Sequence, residues 1–136
     1  MKKKTVKNII ITESNHIIII CKVNSVKGRF IIDTGASNSC IDYLLVKKFN
    51  LNFIKSNEKV SSATNKINET FHSKNNTLKI GDYQINFDFV LFDMTFINNS
   101  LKEKNIKEID GIIGSDILNK LNAIISYKKK EIILEF

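Results

Sequence analysis

Short apolar runs rich in Ile, Val and Phe alternate with short polar stretches along almost the whole chain, a spacing that predicts an all-β sandwich or barrel. The pattern predicts strands at about Ile9 to Thr12, His16 to Val23 and Val26 to Ile32, with Asn24-Ser25 as the tight turn between the last two. Asp42 is placed to cap a short helix reaching about Phe49, and Asn50 suits a left-handed stop. Val60 to Ser73 alternates irregularly and reads as a hairpin with Thr64-Asn65-Lys66 at its tip. Leu78 to Ile80 and Gln84 to Met94 flank Gly81-Asp82, and Ile85, Phe87, Phe89 and Leu91 put one face of the second strand in the core. Asn98 to Lys107 is polar and charged and reads as a surface loop. A buried run from Ile109 to Gly114, a capped short helix from Ser115 to Leu121, and strands at Ala123 to Ser126 and Glu131 to Phe136 complete the chain. It contains no internal repeat.

At 136 residues the expectation is one domain spanning 1–136, large enough for a core of its own. A net charge of +7 would ordinarily raise nucleic acid or an acidic surface as a partner. Almost all of that excess is Lys, dispersed among Asn and Ile, and Arg29 is the only arginine, so the favoured bidentate reader of bases and phosphates is nearly missing. The aromatics sit in core-like runs and not among the lysines, so no nucleic-acid partner is expected. Cys21 and Cys40 lack metal-ligand spacing and do not make a disulfide framework, and Cys21 reads as a small buried hydrophobe. No metal and no cofactor is called for. Lys7, Asn8 and Glu13 interrupt what would be the apolar part of a signal peptide, and no stretch is long and apolar enough for a membrane helix. The cytoplasm is the default compartment, with no membrane partner.

Two segments carry more than packing. Asp33-Thr34-Gly35-Ala36-Ser37 ends the run Phe30-Ile31-Ile32, and Gly111-Ile112-Ile113-Gly114-Ser115-Asp116 follows far downstream. A carboxylate at the end of a buried strand has little packing value and a large desolvation cost, so a chemical role is the economical reading. Together, in this order and setting, the segments resemble those of the retropepsin-like aspartic proteases, especially their short single-domain cellular members. The likeness runs from about Val23 to Phe136, and the two blocks are its specific part. It implies a closed acid-protease β-barrel with psi loops, one or two short helices and half of a catalytic site per chain.

By that resemblance Asp33, Thr34 and Gly35 form the catalytic loop. Ala36, Ser37, Ala63, Thr64, Asn65 and Ile112 become the substrate contacts, with Val60 to Ser73 as the flap. Asp116 matches a position that supports the loops, as a helix first-turn acid also would. Only one Asp-Thr-Gly is present, so a two-aspartate site requires two chains, a homodimer acting on a peptide or protein substrate. Two carboxylates a hydrogen bond apart share one proton, so one partner activates water and the other donates to the carbonyl oxygen. Ser37 and Ser115 stand where viral members carry a paired Asp and Arg, and removing both leaves no orphan charge. Terminal strands of the two chains interleave in that family, and Glu131 to Phe136 is the run expected to do so. The competing readings are a loop Asp that stabilises its own turn, in a catalytically silent dimerisation or peptide-binding module, and a basic nucleic-acid binder. His16 and His72 belong to no catalytic constellation and read as satisfied or solvent-facing.

Overall fold

The computed structural model describes residues 3–61 and 67–136. The strands are β1 (Lys4–Asn8), β2 (Ile10–Ile11), β3 (Ile17–Val23), β4 (Val26–Ile32), β5 (Cys40–Asp42), β6 (Ile54–Ser61), β7 (Ile67–Ile80), β8 (Tyr83–Phe92), β9 (Gly111–Ile113), β10 (Ile124–Ser126) and β11 (Glu131–Glu135). The helices are α1 (Thr95–Glu103) and α2 (Ser115–Lys120), with one 3-10 turn at Tyr43–Leu45. No helix among the described residues is long and apolar enough to cross a membrane.

The larger sheet runs β2-β3-β4-β9-β5-β8-β7-β6, and a further pairing of β3 with β7 joins its two ends. Strands β3, β4, β9, β5, β8 and β7 thus close on one another as a barrel, with β2 and β6 attached. Closure removes the unpaired edges of those strands. Ile19, Phe30, Ile41, Phe89, Leu91 and Ile113 fill the interior. In β3 the run Ile17-Ile18-Ile19 is buried throughout, because Ile18 faces outward into a second cluster with Leu101, Ile106 and Ile109. Burial on both faces explains a continuous apolar run where a half-exposed strand would alternate.

That second cluster corrects the reading of Asn98 to Lys107 as a surface loop. Most of this segment lies in α1, which begins at Thr95 and buries Leu101 against the barrel. Asn98 bonds Ile109 reciprocally: its Nδ2 donates to the Ile109 carbonyl at 3.1 Å, and its Oδ1 accepts the Ile109 N–H at 2.8 Å. A polar side chain that ties the helix to the next buried segment does not advertise itself in a hydrophobic pattern. The helix expected after Asp42 shrinks to the 3-10 turn, although Asp42 does cap it by accepting the Leu44 N–H at 3.1 Å. Asn50 is left-handed as expected, with φ 51°.

A three-stranded sheet, β1-β11-β10, closes one side of the molecule. β11 lies in its middle, antiparallel to both neighbours, with Ile132 and Leu134 buried. Both edges of this strand are therefore taken within its own chain, while Phe136 beyond it is exposed. The sequence reading missed β1, as it missed β5 and the first part of β6: Lys4 to Asn8 alternates polar and apolar too weakly to stand out, yet it pairs along the whole of β11.

Candidate functional site

β9 lies between β4 and β5, parallel to the first and antiparallel to the second. The chain leaves β4 at Ile32, turns through residues 33–39 and re-enters the sheet as β5 on the far side of β9. The loop therefore crosses over the end of β9, which is the psi arrangement. The Asp33 N–H donates to the Ile113 carbonyl at 2.9 Å, prolonging the β4–β9 ladder up to the carboxylate-bearing residue. Oδ1 of Asp33 accepts the Gly35 N–H at 2.9 Å, and the Ala36 N–H donates to the Asp33 carbonyl at 3.1 Å, so the turn is wound around its own first residue.

The loop is anchored from below by α2. The Ser115 N–H donates to the Ala36 carbonyl at 2.7 Å. Asp116 accepts the Ser39 N–H at 2.9 Å and the Ser39 hydroxyl at 2.6 Å, while that same hydroxyl oxygen accepts the Gly114 N–H at 2.8 Å. Ser39 is almost fully buried, so each of these donors depends on a protein partner. Gly114 is required by close approach: a Cβ there would stand 2.5 Å from the Ala36 carbonyl oxygen. Here Ser37 and Ser115 do not form a charged brace. The Ser115 backbone makes the link to the loop.

Asp33, Thr34 and Gly35 are exposed, Ala36 is half-buried and Ser37 is exposed. The expectation of a desolvated carboxylate is thus not met in the single chain; the strand end is buried and the carboxylate projects beyond it. Asp33 and Thr34 line an open cleft of about 380 Å³ whose other walls include His16, Ile31, Ile32, Ile125 and Tyr127. Ile112 is not among them. It is half-buried and packs outward against the clusters around Leu101 and Met94. Ala63, Thr64 and Asn65 lie outside the described residues.

Sequence reasoning gave His16 no place at the site, but it lines the cleft with Asp33, and its Nδ1 is hydrogen-bonded to the Ser14 hydroxyl at 2.7 Å. Only its position just before a strand that neighbours β4 could have hinted at this. Beneath the loop, burial pushes the Cys40 thiol up to about 12, with the Asp116 and Asp33 charges adding to the effect. Cys40 is therefore a packing residue there and not a nucleophile. Asp42 is buried, and its carboxyl is raised above the ordinary value by that burial, against the two backbone N–H donors that favour its charged form, Leu44 and Met94. No cluster of His, Cys, Asp and Glu suited to a metal ion occurs among the described residues.

Comparison with known proteins bears on this geometry directly. A family model described as aspartyl protease matches residues 19–117, a span that includes both the Asp33 loop and the β9–α2 segment. Among solved structures, a retropepsin-like aspartic protease from Rickettsia conorii aligns over 100% of this chain and 94% of its own, at 16% identity and a TM-score of 0.65. The EIAV protease, solved with the inhibitor HBY-793, covers 86% of this chain and 98% of its own at 18% identity, with a TM-score of 0.64. The retroviral protease-like domain of Ddi1 from Leishmania major gives 17% identity over 82% of this chain and 81% of its own, at a TM-score of 0.56. Identities this low carry the fold alone. No curated protein sequence matches the chain.

Proposed function

Because the chain belongs to the aspartyl protease family, we propose that it acts as an aspartic endopeptidase in which two copies each contribute one Asp33. Family and fold support peptide hydrolysis. The observation that carries the finer reading is the exposure of Asp33 at the end of β4, on a loop tied down by α2 and β9. An exposed, rigidly mounted carboxylate is half of a dyad. A second copy related by a two-fold axis completes it, and closed two-fold pairing is the commonest way for identical surfaces to meet. The whole chain, 1–136, then serves as one peptidase domain.

In the dimer the two carboxylates approach within a hydrogen bond and hold one proton between them, since like charges at that distance do not both ionise cheaply. The ionised Asp33 takes a proton from water as the oxygen attacks the peptide carbonyl. The protonated Asp33 gives its proton to the carbonyl oxygen, yielding a neutral tetrahedral diol whose collapse releases the amine. The apparent pKa values belong to the pair. Gly35 keeps the backbone slim beside the dyad, and Thr34 is exposed where a partner backbone would lie. β11 has no free edge, so the pairing surface is the rim of the Asp33 cleft, where Tyr127 is 60% exposed.

The test is incubation of wild type and Asp33→Asn with a diverse peptide library, with products read by mass spectrometry. Asn retains the oxygen that accepts the Gly35 N–H, so the variant is expected to fold, to cost under about 1 kcal/mol and to yield no products. An Asn variant that cleaves at the wild-type rate refutes the assignment. The absence of a charged pair at Ser37 and Ser115 favours one competing reading, a silent peptide-binding module. Peptide retention by the wild type without any product is the result that would select it.

A further inference from the structure

Three lysines, two from one hairpin and one from a strand distant in sequence, stand side by side on the outer face of the barrel. In the register of β3 with β4, Lys22 lies opposite Lys27; in that of β3 with β7, Lys22 lies opposite Lys79. All three are exposed, and Lys7 of β1 joins them around a cleft of about 200 Å³ floored by Ile20, Cys21 and Gly81. Neighbouring strands are about 4.8 Å apart, and like charges directly opposite one another destabilise a sheet. None of the four makes an ion pair among the described residues, and no acidic residue lines this cleft. An adjoining cleft of about 280 Å³ shares Ile20 and Lys27 and adds Arg29, whose Nε is buried without a hydrogen-bond partner. Its acids are Glu108 and Asp110, and Asp110 is already engaged by the Lys48 ammonium and the Arg29 backbone N–H.

We propose that this lysine row, with Arg29 beside it, is a docking groove for a carboxylate-rich segment of a protein substrate, remote from the site of cleavage. Carboxylates neutralise the opposed ammonium groups, and the Arg29 guanidinium lining the adjoining cleft suits the fork of a carboxylate. The groove has no aromatic residue on which nucleobases would stack, which favours an acidic polypeptide over single-stranded nucleic acid. Lys27 and Asp33 stand at opposite ends of β4, about 20 Å apart at the rise of an extended strand. An extended substrate therefore carries its acidic cluster six or more residues, roughly, from the bond that is cut.

This inference deepens the peptidase reading and rests on it for the word substrate, so the test separates binding from hydrolysis. Fluorescence anisotropy of a labelled Glu-rich peptide of about twelve residues, long enough to span the groove, is measured on the Asp33→Asn protein. Adding Lys22→Gln/Lys27→Gln/Lys79→Gln is expected to weaken binding at least about tenfold, whereas Lys102→Gln/Lys104→Gln/Lys129→Gln, of equal net charge, changes it less than about twofold. The row substitutions relieve repulsion, so an unchanged or raised melting temperature shows that the fold is intact. Equal losses in both triple variants would mean a response to net charge alone and would overturn the proposal. Displacement of the peptide by oligothymidylate at lower concentration than by unlabelled peptide would overturn it in favour of nucleic acid. Hydrolysis of a short neutral peptide by the row variant with Asp33 intact is expected at the wild-type rate; its absence in wild type as well would refute the peptidase reading and leave the groove standing.

Discussion

Replacing Asp116 tests how the Asp33 loop is held. Its carboxylate accepts the Ser39 N–H at 2.9 Å and the Ser39 hydroxyl at 2.6 Å, and Ser39 is 1% exposed. Asp116→Ala strands two buried donors, each costing about 1–3 kcal/mol when unsatisfied, so a loss near 4 kcal/mol is expected. Against a typical total of about 5–15 kcal/mol this is large, and it corresponds to a fall in melting temperature of the order of 12 °C. Ser39→Ala removes one stranded donor but orphans the Gly114 N–H, for about 1–3 kcal/mol. The double variant should cost less than the sum by about 1–2 kcal/mol, because the Ser39 hydroxyl is counted in both single changes. Urea unfolding at constant slope reads all four proteins. A cost below about 1 kcal/mol for Asp116→Ala, or strict additivity in the cycle, would show that the network does not carry the loop.

Deleting residues 132–136 removes the buried Ile132 and Leu134 from the central strand of the β1-β11-β10 sheet; at about 2–5 kcal/mol for truncating each side chain, the variant is expected to be unfolded by circular dichroism, and a folded monomer would contradict the topology. Burial raises the Cys21 and Cys40 thiols from 9.0 to about 12, so each holds about a thousandfold less thiolate than usual; both should resist an aromatic disulfide reagent at pH 8 until urea unfolds the chain, and stoichiometric labelling of the native protein would refute this. Asp42, whose folded pKa is raised, favours folding most below its unfolded value and loses that contribution as pH rises through the folded value. Asp42→Asn keeps the oxygen that accepts from Leu44 and Met94, so its stability relative to wild type should climb from pH 3 towards neutrality, and a pH-independent difference would count against the assignment.

The hairpin of β3 and β4 is legible because local chemistry alone determines it: apolar runs flank Asn24 and Ser25, which take φ of 50° and 69°, the left-handed pair of a tight hairpin turn. Asparagine takes glycine's usual place at most of the left-handed positions. Asn15, Asn24, Asn50, Asn75, Asn105 and Asn122 all have positive φ, which is how a chain with 5 glycines makes its many turns. The Asp33 loop and its partner at Gly114 are legible for a different reason, since close backbone approach and the Asp116 carboxylate's hold on the buried Ser39 leave few residue choices. α1 is obscured because its buried face is narrow, with Leu101 its one buried residue and Asn98 doing the tethering. β1 is obscured because a strand's partner is set by pairing, and nothing local in Lys4 to Asn8 points to Glu131 to Glu135.

The same distinction governs what charge can reveal. Lys22 and Lys27 face each other across a turn that the sequence alone predicts, so their opposition is readable from the hairpin register. Lys79 joins them through the single pairing that closes the barrel, β3 with β7, and closure depends on the whole sheet's twist and stagger. Read along the chain, these lysines are scattered and look like solvated surface. Placed by closure, they become a row of like charges that the described residues do not neutralise. A basic composition thus gains chemical meaning only once the barrel's long-range register places those charges side by side.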